Sequence, residues 1–128
     1  MSKIVERRKA PRISKSLPLK IKHQDFDFIT ETKNISAIGA YCSVSSYIPL
    51  MTKLKIMLIL PKYPESGGKN YRIECTGVVV RTEKQSSQNK SYNIAIYFND
   101  IKERDKEKIS SYIDWHLRSA VRNRKPSS

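Results

Sequence analysis

Cysteine is scarce: Cys42 and Cys75 are the only two in 128 residues. A small secreted domain stapled by disulfides needs more of them. The N-terminus MSKIVERRKAPR holds no apolar core of the kind that directs export. Both thiols are therefore expected to be reduced and buried, in a protein of the cytoplasm. Histidine is as rare. His23 and His116 fall into no HxxxH or HExxH spacing and no CxxC accompanies them, so no metal-ligand set is visible. The phosphate-binding and nucleophile signatures GxxxxGK(S/T), GxGxxG and GxSxG are missing as well. No nucleophile, base and orienting group stand together, which argues against an enzyme and leaves no catalytic residue to name. Long apolar runs are also lacking. The longest, LKIMLIL at 54–60, is broken by Lys55 and falls far short of the ~20 residues a membrane span needs.

Acidic residues are in short supply too, and their distribution is informative. Lys plus Arg number 25 against 12 Asp plus Glu, a formal net charge of +13. Residues 1–22 hold eight basic residues and one acid, giving +7; residues 118–128 add four basic residues, giving +4; residues 23–117 carry 13 basic and 11 acidic residues, giving +2. A near-neutral body is thus flanked by two basic ends. Such an imbalance implies a polyanionic partner: nucleic acid, a nucleotide or an acidic surface. The apolar fraction of 38% is enough for one modest core in one domain.

Hydrophobic periodicity predicts six short strands and one helix. Period-two alternation marks strands at 16–22, 25–33, 40–44, 53–60, 71–83 and 92–98, separated by polar turns such as PESGGKN and KQSSQNKS. Gly77 inside the fifth predicts a bulge or close packing. The spacing suits a small barrel or sandwich. The period then changes: Ile109, Tyr112, Ile113, His116, Leu117, Ala120 and Val121 form one face of an amphipathic helix. Asp100 is the expected N-cap, with Glu103 and Asp105 in the first turn and Arg118, Arg122 and Arg124 in the last. His116 on the apolar face is expected to pack as a neutral side chain, with Trp115 at the edge of the stripe.

Two short patterns ask for more than packing. Arg7, Arg8 and Arg12 cluster in ERRKAPR, where Pro11 holds Ala10 extended. Arginine forks bind phosphate or the guanine O6/N7 edge in two-point fashion and stack on bases. Asn34 and Ser36, at alternate positions, offer an amide and a hydroxyl. Gly39, three residues on, permits a positive φ and a close return of the chain. Either pattern alone is weak.

In this order and on this strand pattern, the pair resembles the PilZ domain family, bacterial receptor modules for the second messenger cyclic di-GMP. ERRKAPR (6–12), TKNISAIGAYC (32–42), ECTGVVVRTE (74–83) and YNIAIYFNDI (92–101) carry the resemblance, which covers about residues 6–117. It implies a mainly β fold: a six-stranded antiparallel barrel of split-barrel type over 16–100 with a C-terminal amphipathic helix over 101–121. Residues 1–15 would then be a basic loop that grips ligand, and 122–128 a basic tail. The RxxxR arginines that grip the guanine and phosphates would be Arg8 and Arg12, and the NxSxxG residues that line the other wall of the ligand site, the Ser36 hydroxyl facing ligand, would be Asn34, Ser36 and Gly39. Arg7, directly before RxxxR, goes in the family with two stacked, intercalated ligands per chain rather than one. One position departs from the pattern: Asn93 stands where the family often has glycine, in neither motif.

The resemblance implies a stand-alone, non-enzymatic receptor without metal. It would relay ligand binding to a protein partner in motility, exopolysaccharide or secretion machinery by ordering its N-terminal loop. Two other readings stay open: a nucleotide-independent interaction adaptor, and a basic barrel for RNA or single-stranded DNA. The last is the weakest, because a stacking platform is not evident.

Overall fold

A computed structural model describes residues 10–24, 26–61, 70–85 and 90–123, without the side chains of residues 26 and 121–123. Six strands follow in chain order: β1 (Pro18–His23), β2 (Phe26–Ser36), β3 (Gly39–Val44), β4 (Lys53–Leu60), β5 (Tyr71–Lys84) and β6 (Tyr92–Asp100). They close into a barrel in the order β1-β2-β3-β6-β5-β4, every pair antiparallel. Closure comes from β1 pairing with β4, Ile21 against Ile56. A mainly β, six-stranded antiparallel barrel with one helix is thus the fold, as the resemblance implies, where the alternation alone left barrel and sandwich open.

The alternation also fixes the core. Leu19 and Ile21 point inward from β1, and Leu54, Ile56, Leu58 and Leu60 from β4, all buried. Ile35 of β2, Ala40, Cys42 and Val44 of β3, and Ile73, Val79, Ile94, Ile96 and Phe98 of β5 and β6 join them in the interior. The lysines between them face outward. Burying such side chains contributes about 1.5–3 kcal/mol each, which holds the barrel against the entropy of ordering.

β2 runs three residues beyond the expected end at 33, because its pairing with β3 continues to Ser36–Gly39. Its register with β3 shifts between Thr32 and Asn34, leaving Lys33 as an extra residue. Thr32 and Ile35 are therefore both buried, although three apart. β5 carries a matching irregularity. Val79 pairs with Ile96 and Arg81 with Ala95, so Val80 is extra, and Val80 and Arg81 are both exposed. Gly77, at a second shift, has no room for a Cβ, which would lie 2.5 Å from the Ile96 side chain.

The chain ahead of β1 is tied down along β2. Ile13 and Ile35 exchange both backbone hydrogen bonds at 3.0 Å. The Thr32 hydroxyl donates to the Lys15 carbonyl at 2.5 Å and accepts from the Leu17 amide at 3.0 Å. These bonds carry Arg12 to the rim of the barrel.

Helix α1 spans Glu103–Asn123. It begins later than 101 because Asp100 is not its cap: Asp100 pairs with Thr76 at the end of β6. The Lys102 carbonyl accepts the first helical bonds, from Asp105 and Lys106 at 3.0 Å. Glu103 and Asp105 do occupy the first turn. Ile109, Tyr112 and Ile113 bury against the barrel, while Leu117 is 41% exposed. The apolar stripe outruns the surface that covers it. His116 sits half-buried at that boundary, its ring edge-on to Tyr112 at 4.5 Å and to Trp115 at 4.8 Å.

Candidate functional site

The last arginine of the first pattern meets the second pattern on the surface of the barrel. An Arg12 Nη donates to Asn34 Oδ1 at 2.6 Å. The Lys33 bulge makes this possible. It turns Asn34 outward between two inward side chains, a common use of a bulge. Arg12 is exposed and spends one N–H on Asn34, so the rest of its fork remains available to a ligand.

Ser36 and Gly39 play different parts from those their types suggested. The expectation was a Ser36 hydroxyl facing ligand, but the side chain is fully buried. Its oxygen accepts from the Ile38 amide at 3.2 Å and donates to the Gly39 carbonyl at 3.4 Å. Ser36 thus closes the two-residue turn between β2 and β3. Gly39 does not use a positive φ; among the described residues Met51 is the non-glycine that does, at φ 70°. Glycine is required at 39 by proximity, since a Cβ would stand 2.3 Å from the Ile96 carbonyl oxygen. The turn is docked on β6 as well, the Phe98 amide donating to Ile38 O at 2.8 Å. Arg7 and Arg8 lie outside the described residues.

Around Arg12 and Asn34 the strands form a trough of about 320 Å³. One row across the sheet runs Asn34–Tyr41–Ala95–Arg81. Ala95 and Gly39 give a low floor, and Tyr41, Arg81 and Tyr97 rise around it. The Arg81 guanidinium lies 5.8 Å from the Tyr41 ring centre and 3.8 Å from the Glu83 carboxylate. The Tyr41 hydroxyl donates to the same carboxylate at 2.9 Å. Burial, then Glu83, holds the Tyr41 phenol above its ordinary pKa, so it stays a donor. A flat ring and a flat cation beside a second arginine make a surface for a planar, anionic, hydrogen-bonding ligand.

Sequence reading missed Tyr41, Ala95, Arg81 and Tyr97. Only the register across three strands brings them together, although the two arginines and the alternation of β6 were visible. Wider hollows open on the far side of the barrel, but they hold none of the motif residues. The two cysteines add no chemistry. Both thiols are free, and burial pushes each up to about 12, with Asp105 and Asp100 contributing at Cys75. Among the described residues no cluster of metal-ligating side chains occurs, and no helix is long and apolar enough to cross a membrane.

A small closed barrel with an arginine arm at its rim and a shallow, cationic, aromatic trough defines a ligand-binding module. The family model that matches this chain is the PilZ domain, over residues 6–115, and the chain belongs to that family. Solved structures agree on the fold. The Bacillus subtilis inhibitor of motility MotI/DgrA superposes with a TM-score of 0.74 at 19% identity, over 92% of this chain and 53% of that one. The PilZ domain of Escherichia coli YcgR, solved with c-di-GMP, gives 0.60 at 12% identity, over 91% and 95%. The K. pneumonia MrkH–c-di-GMP complex gives 0.66 at 18% identity, over 91% and 54%. The chain thus spans about half the length of MotI/DgrA and MrkH. No match was found among curated proteins.

Proposed function

We propose that this chain is a receptor for cyclic di-GMP that binds the nucleotide over the Arg12–Asn34–Arg81 trough. The observation that carries the reading is the 2.6 Å bond from Arg12 to Asn34, which joins the RxxxR arm to the NxSxxG hairpin at one mouth. The ligand offers what such a mouth recognises: two phosphodiester charges for arginine forks and two guanines for stacking and edge-on bonding. Arg12 and Asn34 bind directly, Arg8 supplies the second fork of RxxxR, and Arg7 serves a second stacked ligand. Tyr41 and Arg81 give a platform for a guanine face. Ser36 and Gly39 act from beneath, by holding the hairpin against β6. Solved relatives of the same fold, the YcgR domain and MrkH, hold c-di-GMP, which supports the choice of nucleotide.

The output is relay rather than catalysis. Closure of the arginine arm over the ligand changes the rim that a protein partner in the cytoplasm meets. Calorimetric titration with cyclic di-GMP, with the linear dinucleotide and GTP as controls, tests the assignment. Arg12→Ala should weaken binding about tenfold to a hundredfold, the worth of a charge-assisted hydrogen bond at roughly 1.5–3 kcal/mol. Arg81→Ala should weaken it by a smaller factor. Unaltered affinity in Arg12→Ala would remove the arm from the site.

A further inference from the structure

The face of the barrel away from the trough carries a different charge pattern. Lys20 and Lys22 project from β1, and Lys53 and Lys55 from β4. Lys22 and Lys55 are direct cross-strand partners. Like charges placed opposite each other destabilise a sheet, and none of the four lysines forms an ion pair among the described residues. Acidic neighbours do not relieve them. Glu74 is engaged by Arg72 at 3.5 Å. Asp27, in register with Lys22 on the β2 side, lies beyond ion-pair distance.

The same face is hollowed. Two adjoining concavities of about 460 and 700 Å³ share Lys22, Lys55 and Thr76. Met57 is the outward aliphatic side chain of this lining, because Leu54 and Ile56 of the same strand point into the core. In the next row Ile29, 83% exposed, flanks Lys20. Lys20 thus stands between two outward apolar side chains, Met57 on β4 and Ile29 on β2.

We propose that this groove, on the outer faces of β1, β4 and the first half of β5, docks an acidic segment of a partner protein. Lysines at i and i+2 along a strand stand roughly 6.6–6.8 Å apart, the spacing of alternate residues in an extended peptide. A segment with carboxylates at alternate positions places them on Lys20/Lys22 and Lys53/Lys55, and its intervening apolar side chains meet Met57 and Ile29. The barrel has no open edge on β1 or β4, so the contact is made through side chains. Nucleic acid fits less well. His23 is the one ring among the described lining residues, whereas barrels that hold single strands present stacked aromatics; the one arginine of the lining, Arg72, is engaged by Glu74 and Met57, and lysine lacks arginine's two-point fork. The groove shares no residue with the trough, and the inference stands whether or not the trough binds nucleotide.

The test uses the full chain and a short fluorescein-labelled peptide with glutamate at alternate positions and leucine or threonine between, read by anisotropy. The peptide should bind at low salt and weaken as salt rises. Lys22→Glu/Lys55→Glu should lower its affinity by about tenfold or more, since reversing two partly exposed contacts removes some 1.4 kcal/mol. Arg12→Ala should leave it unchanged. Lys22→Gln/Lys55→Gln gives a milder loss and serves if the reversed variant fails to fold. Independently, Lys55→Glu alone should raise the unfolding midpoint by roughly 2–4 °C, because Lys22 then faces an opposite charge. No peptide binding at low salt, equal binding by the double variants, loss of binding in Arg12→Ala, or tighter groove-dependent binding of an oligothymidylate would each overturn the proposal. A lowered midpoint in Lys55→Glu would remove its electrostatic basis.

Discussion

Ser36 and Gly39 show how residue type can indicate a position without indicating its role. Both belong to the patterned turn, and both act by geometry rather than by exposure. The Ser36 hydroxyl satisfies the Ile38 amide inside the protein. Ser36→Ala leaves that donor without its partner, at a cost of about 1–3 kcal/mol. Its thermal midpoint should therefore drop by several degrees, and nucleotide affinity, measured well below that midpoint, should change less than in Arg12→Ala. A stable Ser36→Ala that binds poorly would return the hydroxyl to the ligand. Gly39→Val should be worse. Its Cβ would overlap the Ile96 carbonyl, a backbone atom that cannot swing aside, and overpacking of this kind costs about 1–3 kcal/mol or more. Gly39→Ala already carries that clash, so a fully stable alanine variant would contradict the close approach.

At the scale of elements, the bulges matter most. Lys33 and Val80 each insert one residue, and each re-aims its successor: Asn34 toward Arg12, Arg81 toward Tyr41. Period two marked both strands, ending β2 three residues early, and could not place either bulge, because a bulge is chosen by the pairing of two strands. The helix behaves similarly. Its stripe was legible, but Leu117 lies open because the barrel ends near Ile113. His116 marks that edge. Burial, then the nearby Lys15 charge, holds its imidazole below the usual range. The unfolded chain thus takes up a proton that the folded side chain resists, so stability is present above about pH 6.5 and declines as the pH falls below it. The unfolding midpoint should drop between neutral and mildly acid pH, with a shallower slope in His116→Gln. Identical slopes in the two proteins would show that the loss comes from other groups.

For the whole molecule, the closed barrel separates two basic surfaces: the rim trough on β2, β3, β6 and the second half of β5, and the lysine groove on β1, β4 and the first half of β5. Ligand that binds only the folded chain stabilises all of it, by about 2.7 kcal/mol at a hundredfold excess over Kd. Cyclic di-GMP should therefore raise the unfolding midpoint of the wild type, and much less that of Arg12→Ala. Stoichiometry tests the remaining arginine. Saturation near two ligands per chain, falling to one in Arg7→Leu, is expected if Arg7 offsets the charge of a second nucleotide. A wild-type end point of one would remove that role and leave the receptor assignment intact.

What the sequence determined by itself was local and periodic. Alternating Leu54, Ile56, Leu58 and Leu60 can bury only as a strand, and Ile109, Tyr112 and Ile113 only as one helical face. The paired arginine and NxSxxG patterns likewise announced the family. What only the tertiary structure decided depends on register and closure. Asn34, Tyr41, Ala95 and Arg81 lie on four strands and share a row because of two bulges. Lys22 meets Lys55 because β1 closes on β4. Ser36 turns inward because a hairpin amide needs its oxygen. The row and the lysine pair join segments remote in sequence, and the Ser36 turn is held in place by β6; the energy that selects each resides in contacts that no single segment contains.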